Sequence, residues 1–201
     1  VLLKNLDALV DGFVWNPSSP NTEALKLLRT PETFKKYARL VKKYSNSRLA
    51  MVKMGPYDNG SSESWMELVE AWMNGYGDGI VAVNTYSVPK EQVPAKDWGY
   101  PSAGKSGKAL QGYRQNAIRE TRQRFPNAVI IAAGGIDSGE EAYKAFKAGA
   151  DALEGYTPYT FHGFGLVIEM SRDLERLIME KDGCKILEEF KEKLRIQRQV
   201  L

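Results

Sequence analysis

The sequence holds one cysteine and one histidine, and its apolar residues come only in short runs. The lone Cys184 excludes an internal disulfide and fits a reducing compartment. With no cysteine or histidine at metal-ligand spacing, it reads as a packing residue. His162, as the sole histidine, rules out a histidine-based triad or a multi-histidine metal centre within the chain, and no metal is expected. No stretch approaches about 18 consecutive apolar residues, so no membrane-spanning helix is expected, and no secretory leader is visible. Charge of one sign is also scarce. The net charge is +3, and bases alternate with acids, as in Glu188, Glu189, Lys191 and Glu192, so no nucleic-acid partner is expected.

What the chain does have is ordinary globular composition, 43% hydrophobic and 26% charged, which at 201 residues supports one domain spanning 1–201. Short apolar runs alternate with helical patterns. Strands are expected over 11–15, 49–54, 79–84, 128–133 and 152–156. Thr30-Pro31 opens a helix with Phe34, Tyr37, Ala38 and Val41 on one face. Trp65, Leu68, Val69, Trp72, Met73 and Tyr76 keep the same 3.6-residue period. Ser138-Gly139-Glu140-Glu141 is a capping box ahead of Ala142, Ala145 and Phe146. Two helices carrying Leu166, Met170, Leu174, Leu177 and then Leu187, Phe190, Leu194 close the chain. Residues 86–112, rich in Pro, Gly and Lys, read as a long irregular loop of functional character.

Five strand–helix units in strict alternation imply a parallel α/β sheet. An eightfold barrel needs about 250 residues, so either a partial (β/α)8 barrel or an open doubly wound sheet fits the length. In both, ligands sit at the carboxyl ends of the strands. Asn16, Lys53, Asn84, Gly135 and Tyr156 all fall where an apolar strand run ends, which suggests one ring-shaped site.

Each of these residues has a plain reading and a functional one. Ser18-Ser19-Pro20 can be a simple turn, and Asn16 or Asn84 can cap a strand end. Lys53 ends an apolar strand, where a charge is costly unless it meets an anionic partner or snorkels to solvent. Gly134-Gly135 can turn the chain or let backbone N–H groups approach a phosphate. Gly99 to Ser106 matches the nucleotide P-loop pattern, yet no buried strand precedes it and Gly107 and Gly112 make a poor helix start after it.

The ordered set is more specific than its members. Asn16-Pro17-Ser18-Ser19-Pro20-Asn21-Thr22, Val52-Lys53, Asn84-Thr85, Ser106-Gly107-Lys108-Ala109-Leu110, Gly134-Gly135-Ile136, Gly149-Ala150 and Tyr156-Thr157 resemble, in order, the motifs of the dihydroorotate dehydrogenase family. The resemblance implies a TIM barrel of which this chain supplies about the last five βα units, with 86–112 as an active-site loop. The remaining N-terminal units would come from the parent chain or a second polypeptide, and a homo-oligomer is compatible with it.

The resemblance further implies FMN as cofactor, dihydroorotate as substrate and orotate as product, in pyrimidine biosynthesis. Ser19 takes the position of the catalytic base, working through a water or hydroxyl relay. Asn16, Asn21, Asn84 and Thr85 take substrate-binding positions. Lys53, Gly107, Gly134, Gly135, Tyr156 and Thr157 take flavin-binding positions. Val83 stands where the family often has threonine, and Ala132-Ala133 replaces a glycine-containing pair. Serine at 19 resembles the quinone-linked branch, whereas the 186–194 helix resembles the soluble one, so the acceptor is left among quinone, fumarate and NAD. The location follows the acceptor: cytoplasmic, or membrane-associated through an N-terminal region outside this chain. Two alternatives share the pattern, a flavoprotein acting on another dihydropyrimidine and a flavin-binding barrel fragment without turnover.

Overall fold

A computed structural model describes residues 2–20, 22–45, 48–56 and 62–199. The chain divides into two compact units, Val1–Lys105 and Ser106–Leu201.

The first unit opens with a short helix α1 (Leu2–Leu6) and strand β1 (Gly12–Trp15), followed by helix α2 (Pro31–Tyr44), β2 (Leu49–Met54), α3 (Ser62–Met73) and β3 (Gly79–Ala82). Thr30 caps α2 as its side chain accepts from Thr33 N at 3.3 Å, with Pro31 in the first turn. Phe34, Ala38 and Val41 form the buried stripe that the spacing predicts. β1, β2 and β3 run parallel in that order, with Gly12 beside Leu49 and Met51 beside Gly79. The rings of Tyr37, Phe34 and Trp72 pack around Trp15, the nearest stacked at 4.5 Å.

Two expectations fail here for local reasons. Tyr76 does not extend the α3 stripe. The helix ends at Met73, and Tyr76 adopts a left-handed φ of 71° with its ring exposed. The stretch expected as irregular contains an antiparallel hairpin, β4 (Tyr86–Pro89) paired with β5 (Ser102–Lys105). Pro89 at the end of β4 and the glycine in β5 hid this short pairing from a reading by apolar alternation.

The second unit carries helix α4 (Gln111–Arg124), β6 (Val129–Ala133), α5 (Gly139–Ala148), β7 (Ala152–Glu154) and three further helices, α6 (Thr157–His162), α7 (Gly165–Asp182) and α8 (Leu187–Gln199). β6 and β7 pair in parallel. α4 begins one residue before Gly112, inside the expected loop. Ser138 caps α5 by accepting from Glu141 N at 3.3 Å, as the capping box predicts. Cys184 is buried, as expected of a packing residue, and His162 is exposed at the end of α6.

The amino ends of the strands share one device in both units. Asp78 Oδ2 accepts from Ala50 N at 2.7 Å and from Lys42 Nζ at 2.7 Å, tying the start of β2 to α2. Asp151 Oδ2 accepts from Ile130 N at 2.8 Å and from Arg122 Nη2 at 2.6 Å, tying the start of β6 to α4. Arg122 also donates to the carbonyls of Pro126, Ala128 and Gly149, so a nearly buried guanidinium is fully paired.

Candidate active site

β1 ends at Trp15, and the next residues turn inward under a set of side-chain bonds. Ser18 is buried. Its hydroxyl donates to Lys53 O at 2.7 Å and accepts from Asn84 Nδ2 at 3.1 Å. Asn16 Oδ1 accepts from Ser18 N at 3.3 Å and from Asn84 Nδ2 at 3.1 Å. Asn84 Nδ2 thus donates to two neighbours within the loop cluster, and its Oδ1 accepts from Thr85 N at 2.8 Å. The carboxyl ends of β1, β2 and β3 are thus joined by Asn16, Ser18, the Lys53 backbone and Asn84. Asn16 keeps its two Nδ2 protons unclaimed by any described residue, facing whatever approaches the exposed side chain.

Ser19 differs from its neighbour. It is half-buried, and its hydroxyl makes no hydrogen bond to a described residue. Pro20 beside it packs toward the hairpin: a Cβ placed on Gly104 would lie 3.0 Å from Pro20 Cγ and 2.6 Å from Thr85 Oγ1. Thr85 therefore supports the loop through Gly104 in addition to lying beside Asn84. Lys53 is half-buried on β2 between two buried residues. Asn21, placed in the substrate set by resemblance, lies outside the described residues.

The second unit gathers most of the flavin positions. Gly107, Gly134 and Gly135 all have positive φ, at 76°, 97° and 69°. Thr157 donates to Ser106 Oγ at 2.9 Å, and its Cγ2 would lie 3.4 Å from a Cβ on Gly107. A Cβ on Gly135 would come within 2.8 Å of Gly107 O, so the two glycine loops can touch because Gly135 lacks a side chain. Tyr156 precedes α6, two residues past the end of β7, with its ring 83% exposed. The P-loop reading fails at the backbone. Gly104 and Lys105 pair with Ser87 and Tyr86 in an antiparallel strand, which cannot wrap a phosphate.

Three residues assigned no role of their own from the sequence matter to this geometry. Ser18 is one. Gln111 and Arg114 are the others: Gln111 Nε2 donates to Gly135 O at 3.0 Å, and Arg114 Nη1 to Gly134 O at 2.7 Å. A signal for Arg114 existed, because it falls with Leu110, Ala117, Ile118 and Thr121 on the inward helical spacing. The Glu141 carboxyl, which pairs with Arg114 at 2.5 Å, is raised by burial but lowered more by its hydrogen bonds and charges from Lys144 and Arg114. The net direction is below the ordinary carboxylate range. A cleft of about 870 Å³ in this unit lies instead at the amino ends of β6 and β7, beside α8, away from these loops.

The sequence model of the family described as dihydroorotate dehydrogenase matches residues 1–178. The chain belongs to this family. It is 33% identical over 193 residues to a dihydroorotate dehydrogenase (quinone) of Nautilia profundicola, covering 94% of this chain and 51% of that protein. It is 31% identical over 201 residues to the mitochondrial dihydroorotate dehydrogenase (quinone) of Arabidopsis thaliana, covering 92% and 42%. A crystal structure of DHODH from Eimeria tenella in complex with ferulenol matches with a TM-score of 0.78 at 20% identity, over 92% of this chain and 55% of that one. That likeness shows the fold, and the chain carries part of a TIM-barrel α/β architecture. It spans about half the length of the curated dihydroorotate dehydrogenases it matches. Among the described residues no helix is long and apolar enough to cross a membrane.

Proposed function

We propose that the protein carrying this chain is an oxidoreductase that converts dihydroorotate to orotate with bound FMN, as a step of pyrimidine biosynthesis. The observation that carries the reading is the cluster of Asn16, Ser18 and Asn84, anchored to Lys53 O, at the carboxyl ends of adjacent parallel strands. A loop fixed in this way presents Ser19 beside a set of amides suited to a pyrimidine dione.

FMN, when bound, supplies the acceptor for the hydride that leaves C6 of the substrate. Ser19 takes the proton from C5, and a water or hydroxyl relay carries it away, since a lone serine is a weak base. Asn16 offers its unclaimed amide protons to a substrate oxygen. Asn84 and Thr85 bound the pocket, and Asn21 is assigned to the same edge. Lys53 holds positive charge near the flavin, where negative charge collects on reduction.

The second unit fits the cofactor. Gly107 has only Thr157 near its missing Cβ, which leaves room for a flat ring. Gly134, Gly135, Tyr156 and Thr157 supply backbone and hydroxyl donors for a phosphate. The names of the relatives favour a quinone as electron acceptor, and with it a membrane-associated setting. The remaining barrel units would come from the parent chain or a second polypeptide.

Anaerobic addition of dihydroorotate to the yellow full-length protein tests the reading. Bleaching of the flavin, reversed by a soluble ubiquinone analogue, is expected. A flavin that stays oxidised under dihydroorotate would retire the proposed reaction.

A further inference from the structure

Helix α4 meets the Gly134–Gly135 turn through two side chains on one face. Gln111 and Arg114 are three residues apart, so they stand one above the other. Gln111 holds Gly135 O at 3.0 Å and Arg114 holds Gly134 O at 2.7 Å. In a trans peptide the carbonyl and the following N–H point in opposite directions. Fixing Gly134 O toward α4 therefore turns the N–H of Gly135 away from the helix. Fixing Gly135 O does the same for the N–H of Ile136. Neither N–H finds an acceptor among the described residues.

The turn has little freedom to choose another conformation. A Cβ on Gly134 would meet Leu110 Cβ at 2.9 Å, and one on Gly135 would meet Gln111 Cγ at 2.7 Å. The backbone thus lies directly against α4, at positive φ in both residues. Arg114 is 0% exposed and also pairs with Glu141 at 2.5 Å. Glu141 in turn sits in the first turn of α5, its N–H bonded to Ser138. One side chain joins the glycine turn to the start of the following helix.

A buried guanidinium is an expensive way to fill this space. A methionine of similar reach would pack without the desolvation cost, and paired charges of this kind are often neutral for stability. Arg114 Nε has no partner among the described residues, so the pairing is not complete even here. What the arginine does that methionine cannot is grip a carbonyl and so fix a peptide plane.

We propose that Arg114 is a positioning residue for the cofactor's phosphate: through Gly134 O it turns the N–H groups of Gly135 and Ile136 toward that phosphate, with Gln111 as its second grip. The inference rests on the flavin reading above and adds a part to it. Arg114 does not touch the ligand, and its charge lies behind the turn.

The test compares FMN with riboflavin, which has the same ring system and no phosphate. Full-length protein stripped of flavin is titrated with each, and binding is followed by quenching of flavin fluorescence. Arg114→Met is expected to weaken FMN about tenfold or more while riboflavin changes less than about twofold, and Arg114→Lys to recover part of the loss, since a lysine can grip one carbonyl. A merely structural role would weaken both flavins together, and that result would overturn the proposal. If Arg114→Met fails to fold, Gln111→Ala, in the first turn of α4, is expected to lower the FMN-to-riboflavin preference about threefold. An unchanged preference in that variant would count against the grip. A wild-type protein that prefers FMN but is not bleached by dihydroorotate would overturn the reaction proposed above and leave the Arg114 inference standing. Equal affinity of the wild type for the two flavins would overturn the inference itself.

Discussion

Asn84 Nδ2 lies 3.1 Å from Ser18 Oγ, and that hydroxyl donates its own hydrogen bond to Lys53 O at 2.7 Å. The neighbouring Ser19 hydroxyl makes no such bond to a described residue. The two serines should therefore separate in experiment. Ser18→Ala is expected to cost about 1–3 kcal/mol of stability, because it removes a buried donor and leaves partners unpaired. Ser19→Ala is expected to stay within about 0.5 kcal/mol while abolishing flavin reduction by dihydroorotate with FMN still bound. Urea unfolding and anaerobic absorbance of both variants measure this contrast. Near-normal reduction in Ser19→Ala would refute its assignment as base.

Gly104→Ala places a methyl 2.6 Å from Thr85 Oγ1 and 3.0 Å from Pro20 Cγ. Neither neighbour can yield cheaply, since one is a short side chain and the other a ring. A loss of about 1–3 kcal/mol is expected, with the rate of flavin reduction falling more than FMN affinity. Stopped-flow reduction beside a flavin titration would show it, and equal loss in both would mean that the hairpin does not steer the loop.

At the other end of the strands, Asp78→Ala leaves Ala50 N–H and the Lys42 ammonium without their shared acceptor. About 1–3 kcal/mol of stability should be lost, while the rate of flavin reduction at saturating substrate is unchanged. Changes at the amino ends of barrel strands bear on stability, not on chemistry. Thermal unfolding and turnover of the same preparation decide it.

Acid should act through Glu141. Its folded-state pKa is lowered, since hydrogen bonds and charges from Lys144 and Arg114 outweigh the raising effect of burial. A depressed carboxyl contributes stability that is full above its unfolded pKa and is lost as the pH falls through the folded one. The stability gap between wild type and Glu141→Gln should thus be widest at neutral pH, begin to narrow near the unfolded carboxylate pKa of about 4.3, and close only as the pH falls through the lower folded-state pKa. Denaturation midpoints across pH measure the gap, and one that persisted in acid would contradict the assignment.

Much of this was legible in the sequence for a physical reason. Buried parallel strands need continuous apolar runs, and helices against them need a 3.6-residue stripe, so β2, β3, α2 and α5 could be read from period alone. Caps at Thr30 and Ser138 were readable because their partner is three residues away. The β4–β5 pairing was not, because its two strands are four residues each and meet across twelve residues of turn. Arg114 escaped because a charged residue on an inward spacing resembles an interruption of the core until its acceptor, twenty residues away, is known. Ser18 escaped for a similar reason, since its main partner is the Lys53 backbone, and a backbone carries no sequence signal.

The aspartates at the strand starts have a wider consequence. Asp78 and Asp151 each lock a strand to a helix with contacts remote from the loops that carry Asn16, Asn84 and Gly135. Selection can then rewrite those loops, and with them substrate and acceptor, without reopening the question of whether the chain folds. A lineage built on such joints can diversify its chemistry while its scaffold is inherited almost unchanged.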